Sequence, residues 1–310
     1  MSLHNDPFLT ISNSIKNLYI KKWQENNKKV IGYYCTYIPE ELLYAANLLP
    51  FRIRATGNKD TELGDIYMVR FTCSFVRATL DLALKGSYDF LDGFLVCNSC
   101  DHSRRMFELF DLKVFNREGF NKKVPRFYLA LPHVITDEGF EWYKQEIEEL
   151  KTEIEENYKI SEIRDEKLIE SIKIHNENRT LLRKINDLRI QSDPKLSGSE
   201  ALQINMANAS IPKEIANKEL KRILKIINER QTSDIENKKR ILLVGSVVDN
   251  IEFTQLIENS GAIITSDFLC FGTRNFHDDV ILQNGESPLD SITRRVYYRI
   301  PCPRMMDDYP

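Results

Sequence analysis

The chain has 310 residues, 42% of them hydrophobic and 29% charged, with a formal net charge of −3. That length suits about two domains with sizeable cores, and a near-neutral balance offers no electrostatic footprint for nucleic acid. No apolar run approaches the roughly 18–20 residues that span a bilayer. No secretory signal is visible, so the six cysteines are expected to be reduced thiols in a cytoplasm.

Residues 11–29 read as an amphipathic helix rich in Lys and Asn. A short apolar strand follows over Val30–Tyr34 and runs into Cys35-Thr36-Tyr37-Ile38. Pro39 with Glu40 and Glu41 behind it predicts a helix start, because proline suits the first turn and acidic side chains favour the dipole there. That helix stops near Pro50, and Phe51–Arg54 gives a second strand. Residues 61–85 read as largely helical with a local break at Cys73, residues 90–96 as a strand, 101–112 as a helix and 126–131 as a strand. Strands alternating with helices predict a parallel, doubly wound sheet whose chemistry lies at strand C-termini. Cys35, Cys97 and Cys100 all fall near such ends.

From Asp137 to about Arg230 the pattern is almost purely helical, with mixed charges that read as a solvated face. β-α-β patterning restarts at Lys239–Gly245, with a helix over 251–260 and a strand over 262–266. The expected organisation is an N-terminal helix (1–29), a first α/β domain (30–136), a helical segment (137–237) and a second α/β domain (238–310). Two visible strands make that last block look incomplete. The predicted fold class is α/β, with two Rossmann-like parallel-sheet lobes joined by a helical middle segment.

Cys73 in Phe71-Thr72-Cys73-Ser74-Phe75 and Cys100 in Asn98-Ser99-Cys100-Asp101-His102 are presented singly, from separate strand–helix junctions. That suits an iron–sulfur cluster whose ligands converge only on folding. Cys97 makes a formal C-x-x-C with Cys100, but without a second such pair it reads as strand core rather than a zinc ligand. Cys35 either lines a substrate pocket or packs. Thr36 and Tyr37, just before the Pro39 helix, either present a hydroxyl and N–H groups to developing negative charge or simply cap the helix. His102 handles protons or is a polar residue at a helix start. Arg52 and Arg54 meet phosphates or a partner's acid, or sit exposed at an edge. Neither a G-x-G-x-x-G fingerprint nor a Walker A sequence occurs.

Several stretches in this order resemble the 2-hydroxyacyl-CoA dehydratase family, which includes benzoyl-CoA reductase subunits. They are Ile31-Gly32-Tyr33-Tyr34-Cys35-Thr36-Tyr37-Ile38-Pro39-Glu40-Glu41-Leu42, Cys73-Ser74-Phe75, Tyr88-Asp89-Phe90-Leu91-Asp92-Gly93 leading to Ser99-Cys100-Asp101, Asn178-Arg179, Leu196-Ser197-Gly198-Ser199-Glu200-Ala201-Leu202, Arg240–Ser246 and Pro301-Cys302-Pro303. The resemblance implies a subunit of a pseudo-symmetric heterodimer. It would hold a [4Fe-4S] cluster through three cysteines, of which Cys73 and Cys100 match the first two, with the third expected beyond residue 310. It further implies an ATP-dependent iron–sulfur activator that injects one electron, an acyl-CoA substrate, and loss of the 2-hydroxyl by way of a ketyl radical. Thr36 and His102 are then the candidate catalytic residues, and Cys35, Thr36, Tyr37 and Arg52 the candidate substrate contacts. Cys270 and Cys302 could stand in as a third ligand, although each also reads as a small buried thiol. A benzoyl-CoA reductase-type subunit and a non-catalytic pseudo-subunit are the alternatives.

Overall fold

The computed structural model describes residues 3, 5–230, 238–299 and 302. In chain order its helices are α1 (Leu18–Glu25), α2 (Glu40–Ala45), α3 (Glu62–Tyr67), α4 (Ser74–Leu84), α5 (Asp101–Leu109), α6 (Asp137–Tyr158), α7 (Asp165–Ile190), α8 (Gly198–Asn208), α9 (Lys213–Asn228), α10 (Ile251–Asn259), α11 (Thr273–Phe276) and α12 (Pro288–Tyr297). The strands are β1 (Val30–Tyr34), β2 (Leu49–Arg52), β3 (Gly93–Cys97), β4 (Arg126–Leu129), β5 (Lys239–Val244) and β6 (Ala262–Phe268). The chain forms two compact units. One comprises residues 18–173 with 280–310, the other residues 1–17 with 174–279.

In the first unit β1–β4 make an all-parallel sheet in the order β2-β1-β3-β4. Val30-Ile31-Gly32-Tyr33-Tyr34 and Gly93-Phe94-Leu95-Val96-Cys97 are buried along their whole length, as parallel strands covered on both faces must be. Edge strand β4 alternates exposed and buried instead. Leu95, Cys97, Phe127 and Leu129 pack with Phe140, Tyr143, Ile147 and Ile154 of α6 and with Ile292 and Val296 of α12. Phe94 stacks on Phe107 and Phe110. Because successive strand residues point to opposite faces, Leu95 and Phe94 anchor separate layers. The α/β reading of the sequence is therefore correct.

The N-terminal stretch departs from its pattern. Instead of one helix over 11–29, a 3-10 turn (Leu9–Asn13) ends in extended Ser14, and α1 begins only at Leu18. The Ser12 hydroxyl donates to the Leu9 carbonyl (2.7 Å), the local side-chain bonding by which serine competes with a continuing helix.

In the second unit β5 and β6 pair in parallel around α10. Ser197 and Glu200 form a reciprocal capping box at the start of α8 (3.1 Å each way). The Glu258 carboxylate accepts from the N–H of Gly198 (2.7 Å) and from the hydroxyl of Ser199 (2.6 Å) in the same turn.

Candidate functional site

The order β2-β1-β3-β4 reverses direction between β1 and β3. In open parallel sheets, the crevice outside the carboxyl ends at such a switch point is where ligands bind. The chain leaves β1 as Cys35-Thr36-Tyr37 and leaves β3 as Asn98-Ser99-Cys100, so both segments border this crevice.

Cys100 is the N-cap of α5 and Cys73 the N-cap of α4. The two junctions meet: the Cys73 N–H donates to His102 Nδ1 (3.2 Å). Both cysteines are half-buried, and each stands at the positive end of a helix dipole, which favours an anionic centre. Several bonds fix the loop before Cys100. The Ser103 hydroxyl accepts from the Cys100 N–H (3.2 Å), and Asn98 Oδ1 accepts from the Leu131 N–H (2.7 Å). Tyr34 at the end of β1 stacks on Phe75 in the first turn of α4 (5.5 Å between centroids), holding the Cys73 junction against the crevice. Arg104 and Arg105 face solvent, paired with Asp101 and Glu108.

Beneath this rim, Cys35 adopts a left-handed backbone (φ 87°), uncommon for a residue with a Cβ. A hydrogen bond from the Cys97 thiol, followed by others from the Ser99 side chain and the Tyr37 N–H and by the charge of Arg52, holds the Cys35 thiol down to about 5 against the cost of burial. Burial and the neighbouring Cys35 push Cys97 well above the usual thiol range.

Thr36 is 4% exposed. Its carbonyl accepts from the Arg299 guanidinium, while its hydroxyl, fully buried, has no hydrogen-bond partner among the described residues. Buried hydroxyls are nearly always satisfied, which marks Oγ1 as a group waiting for one. Tyr37 is clamped: its hydroxyl accepts from the Cys302 N–H (2.8 Å) and its carbonyl accepts from the Tyr143 hydroxyl (3.2 Å). Arg299 lies over its ring (5.3 Å). Burial raises the Tyr37 phenol far above its ordinary range. Glu40 accepts from the Tyr33 hydroxyl (2.6 Å), which gives it a partner beyond the helix start.

All seven candidate residues lie in the first unit. Cys73, Cys100 and His102 are gathered by the contact between their helix starts, and Cys35, Thr36 and Tyr37 by the end of β1. Arg52 is buried at the end of β2 (2% exposed) rather than exposed at an edge, close enough for its charge to act on Cys35. Sequence reasoning missed Tyr143, Arg299 and the Cys35–Cys97 contact. One signal for that contact was available, since Cys97 ends one apolar five-residue strand and Cys35 directly follows another. Cys270 is buried in the second unit, its sulfur accepting from Arg274 (3.4 Å), and Cys302 is buried beside Tyr37.

As to an iron–sulfur cluster, two half-buried thiols at adjoining helix N-termini have the right donor chemistry for two of its ligands. Among the described residues, which include all six cysteines, no three His, Cys, Asp or Glu side chains gather as a metal site. The described residues thus fit part of such a site and do not complete it. No helix among them is long and apolar enough to cross a membrane.

Fold and site together define a doubly wound α/β protein with thiols and an unsatisfied hydroxyl at its switch point. The chain belongs to the 2-hydroxyglutaryl-CoA dehydratase D-component family, whose description matches residues 35–310. It is 29% identical to a benzoyl-CoA reductase subunit of Thauera aromatica over 252 residues, 80% of this chain and 63% of that protein. It is 24% identical to the (R)-phenyllactyl-CoA dehydratase beta subunit of Clostridium sporogenes, over 93% of this chain and 74% of the relative. Identity to the beta subunit of (R)-2-hydroxyglutaryl-CoA dehydratase from Acidaminococcus fermentans is also 24%, over 88% and 70%. The matched region thus spans 63% to 74% of the length of these relatives.

Proposed function

We propose that the chain is a subunit of a cytoplasmic 2-hydroxyacyl-CoA dehydratase that removes water from its substrate through a ketyl radical, after one-electron reduction by an ATP-dependent activator. The observation that carries this reading is the buried Thr36 hydroxyl, without a partner among the described residues, on the loop that leaves β1 at the β1/β3 switch point, which the Cys100 loop also borders. The names of the relatives support it, since they are subunits of enzymes acting on acyl-CoA thioesters. A homologous second subunit is the expected partner.

In this reading Cys73 and Cys100 hold an iron–sulfur cluster together with a third thiolate from outside the described residues. When bound, that cluster supplies a low-potential electron and an open iron position. Thr36 donates its hydroxyl to the thioester carbonyl or to the departing 2-hydroxyl. A hydrogen bond strengthened as charge develops lowers the barrier selectively. Tyr37 holds the Thr36 loop through its contacts with Cys302, Tyr143 and Arg299. His102, bound through Nδ1 to the Cys73 N–H, keeps Nε2 for a proton. Arg52 supplies fixed positive charge below the crevice.

Anaerobic protein, reconstituted with iron and sulfide and supplied with its second subunit and activator, is expected to dehydrate a 2-hydroxyacyl-CoA. Cys73→Ser and Cys100→Ser should each lower bound iron and abolish turnover. Iron content unchanged in both variants would overturn the assignment. The similarity to the Thauera aromatica benzoyl-CoA reductase polypeptide favours one second reading, reduction of an aromatic acyl-CoA by the same electron supply. Ring reduction without dehydration would select it.

A further inference from the structure

The crevice floor carries a thiol pair that the proposed dehydration does not use. The register of β1 against β3 pairs Tyr34 with Val96, the residues just before Cys35 and Cys97, and Cys35 packs against the core cluster that contains Cys97. Neighbouring strands lie about 4.8 Å apart, so the ends of β1 and β3 leave the chain within the roughly 4.4–6.8 Å between Cα atoms that a disulfide bridges. Cys35 is half-buried and Cys97 fully buried, so Cys35 is the less shielded residue of the two. The surroundings divide the roles further. Ser99, the Tyr37 N–H and Arg52 all favour negative charge on Cys35, whereas burial keeps the proton on Cys97. A reactive thiolate with a protonated thiol in contact is the arrangement of a redox-responsive cysteine and its resolving partner.

We propose that Cys35 and Cys97 form a reversible disulfide, with Cys35 as the peroxide-reactive thiolate and Cys97 as the resolving thiol. In the first step the Cys35 sulfur attacks one oxygen of hydrogen peroxide. The S–O bond forms, the O–O bond breaks, and the departing hydroxide takes a proton to become water. In the second step the Cys97 sulfur displaces the hydroxyl from the Cys35 sulfenic acid. The S–S bond forms, the S–O bond breaks, and the Cys97 proton leaves with the hydroxyl as a second water. Two thiols are oxidised by two electrons in all, and peroxide is reduced to two waters. A dithiol reverses the bridge by exchange. The bridge replaces the thiolate that accepts from Ser99 and from Tyr37, the neighbours of Cys100 and Thr36 in sequence.

This chemistry is independent of the reaction at the crevice, and its test reads mass rather than turnover. The full chain, reduced, desalted and free of iron, is treated with equimolar hydrogen peroxide, quenched in acid, alkylated under denaturing conditions and mapped by mass spectrometry. The expected product is a Cys35–Cys97 linked peptide pair, about 2 Da lighter than the two thiol peptides together, which a dithiol reductant removes. In Cys97→Ser the Cys35 sulfenic acid should persist and be trapped by dimedone. Recovery of both thiols alkylated while Cys73 and Cys100 become linked would overturn the proposal. So would oxidation of Cys35 without linkage to Cys97. The wild-type map decides the matter even if the variant does not fold.

Discussion

Replacing Thr36 by valine should make the protein more stable and less active. Valine keeps the β-branch and nearly the same volume while a methyl replaces the hydroxyl. Thr36 is 4% exposed, and its Oγ1 has no hydrogen-bond partner among the described residues. A buried hydroxyl without a bond costs about 1–3 kcal/mol relative to water, and that cost disappears in Thr36→Val. The carbonyl of residue 36 still accepts from Arg299, so the loop keeps its clamp. The net expectation is a gain of about 1–2 kcal/mol, which in a unit of this size raises Tm by roughly 2–8 °C. Differential scanning calorimetry of wild type and variant in one buffer measures it. Turnover in the reconstituted complex should fall by about a hundredfold or more if the hydroxyl serves charge in the transition state. Thr36→Ser, which keeps the donor, should retain most of it. A Thr36→Val protein destabilised by about 1 kcal/mol or more would refute the reasoning, because the hydroxyl would then be satisfied in the folded state.

Three further outcomes are expected. In Gly64→Ala the new Cβ would sit against the Arg77 carbonyl oxygen, a backbone atom that cannot swing aside. The variant should lose about 1–3 kcal/mol in urea titration and take up less iron, because α3 packs on the helix that Cys73 caps. Alkylation of Cys35 by iodoacetamide should be nearly flat from pH 7 to pH 9 and fall below about pH 5, since its thiol is held down from 9.0 to about 5. The same depression adds stability that is fully present above the unfolded value and is lost as pH falls through about 5. The raised Cys97 gives the opposite slope only above the unfolded thiol range, so stability should rise between those limits. A Cys35 rate still climbing tenfold per unit at pH 8 would contradict this. In the second unit, Asp267→Asn strips the charge partner from Arg189 (2.5 Å, both buried). It should cost about 3–5 kcal/mol in chemical denaturation.

Much of the first sheet was legible because its signals are local. Val30–Tyr34 and Gly93–Cys97 are short apolar runs bounded by turns, Pro39-Glu40-Glu41 announces a helix, and alternation of the two implies parallel strands and chemistry at their ends. Cys73 and Cys100 could be singled out for the same reason, since each stands at a strand–helix junction visible in the sequence. The break between Asn13 and Leu18 was less legible, because a serine hydroxyl bonding back to its own turn leaves no periodic trace. What only the tertiary structure decided is which strand end faces which. Register is a relation between distant segments, set by whole-face burial rather than by any one residue. It brings the ends of β1 and β3 together, whereas the packing of α12 against α6 brings residues 280–299 into the first unit, where Arg299 meets Thr36. Sequence determined the kinds of groups available and the ends of the strands that carry them. Packing decided that the Thr36 hydroxyl would be buried without a partner among the described residues and that Cys35 would pack against the core that holds Cys97.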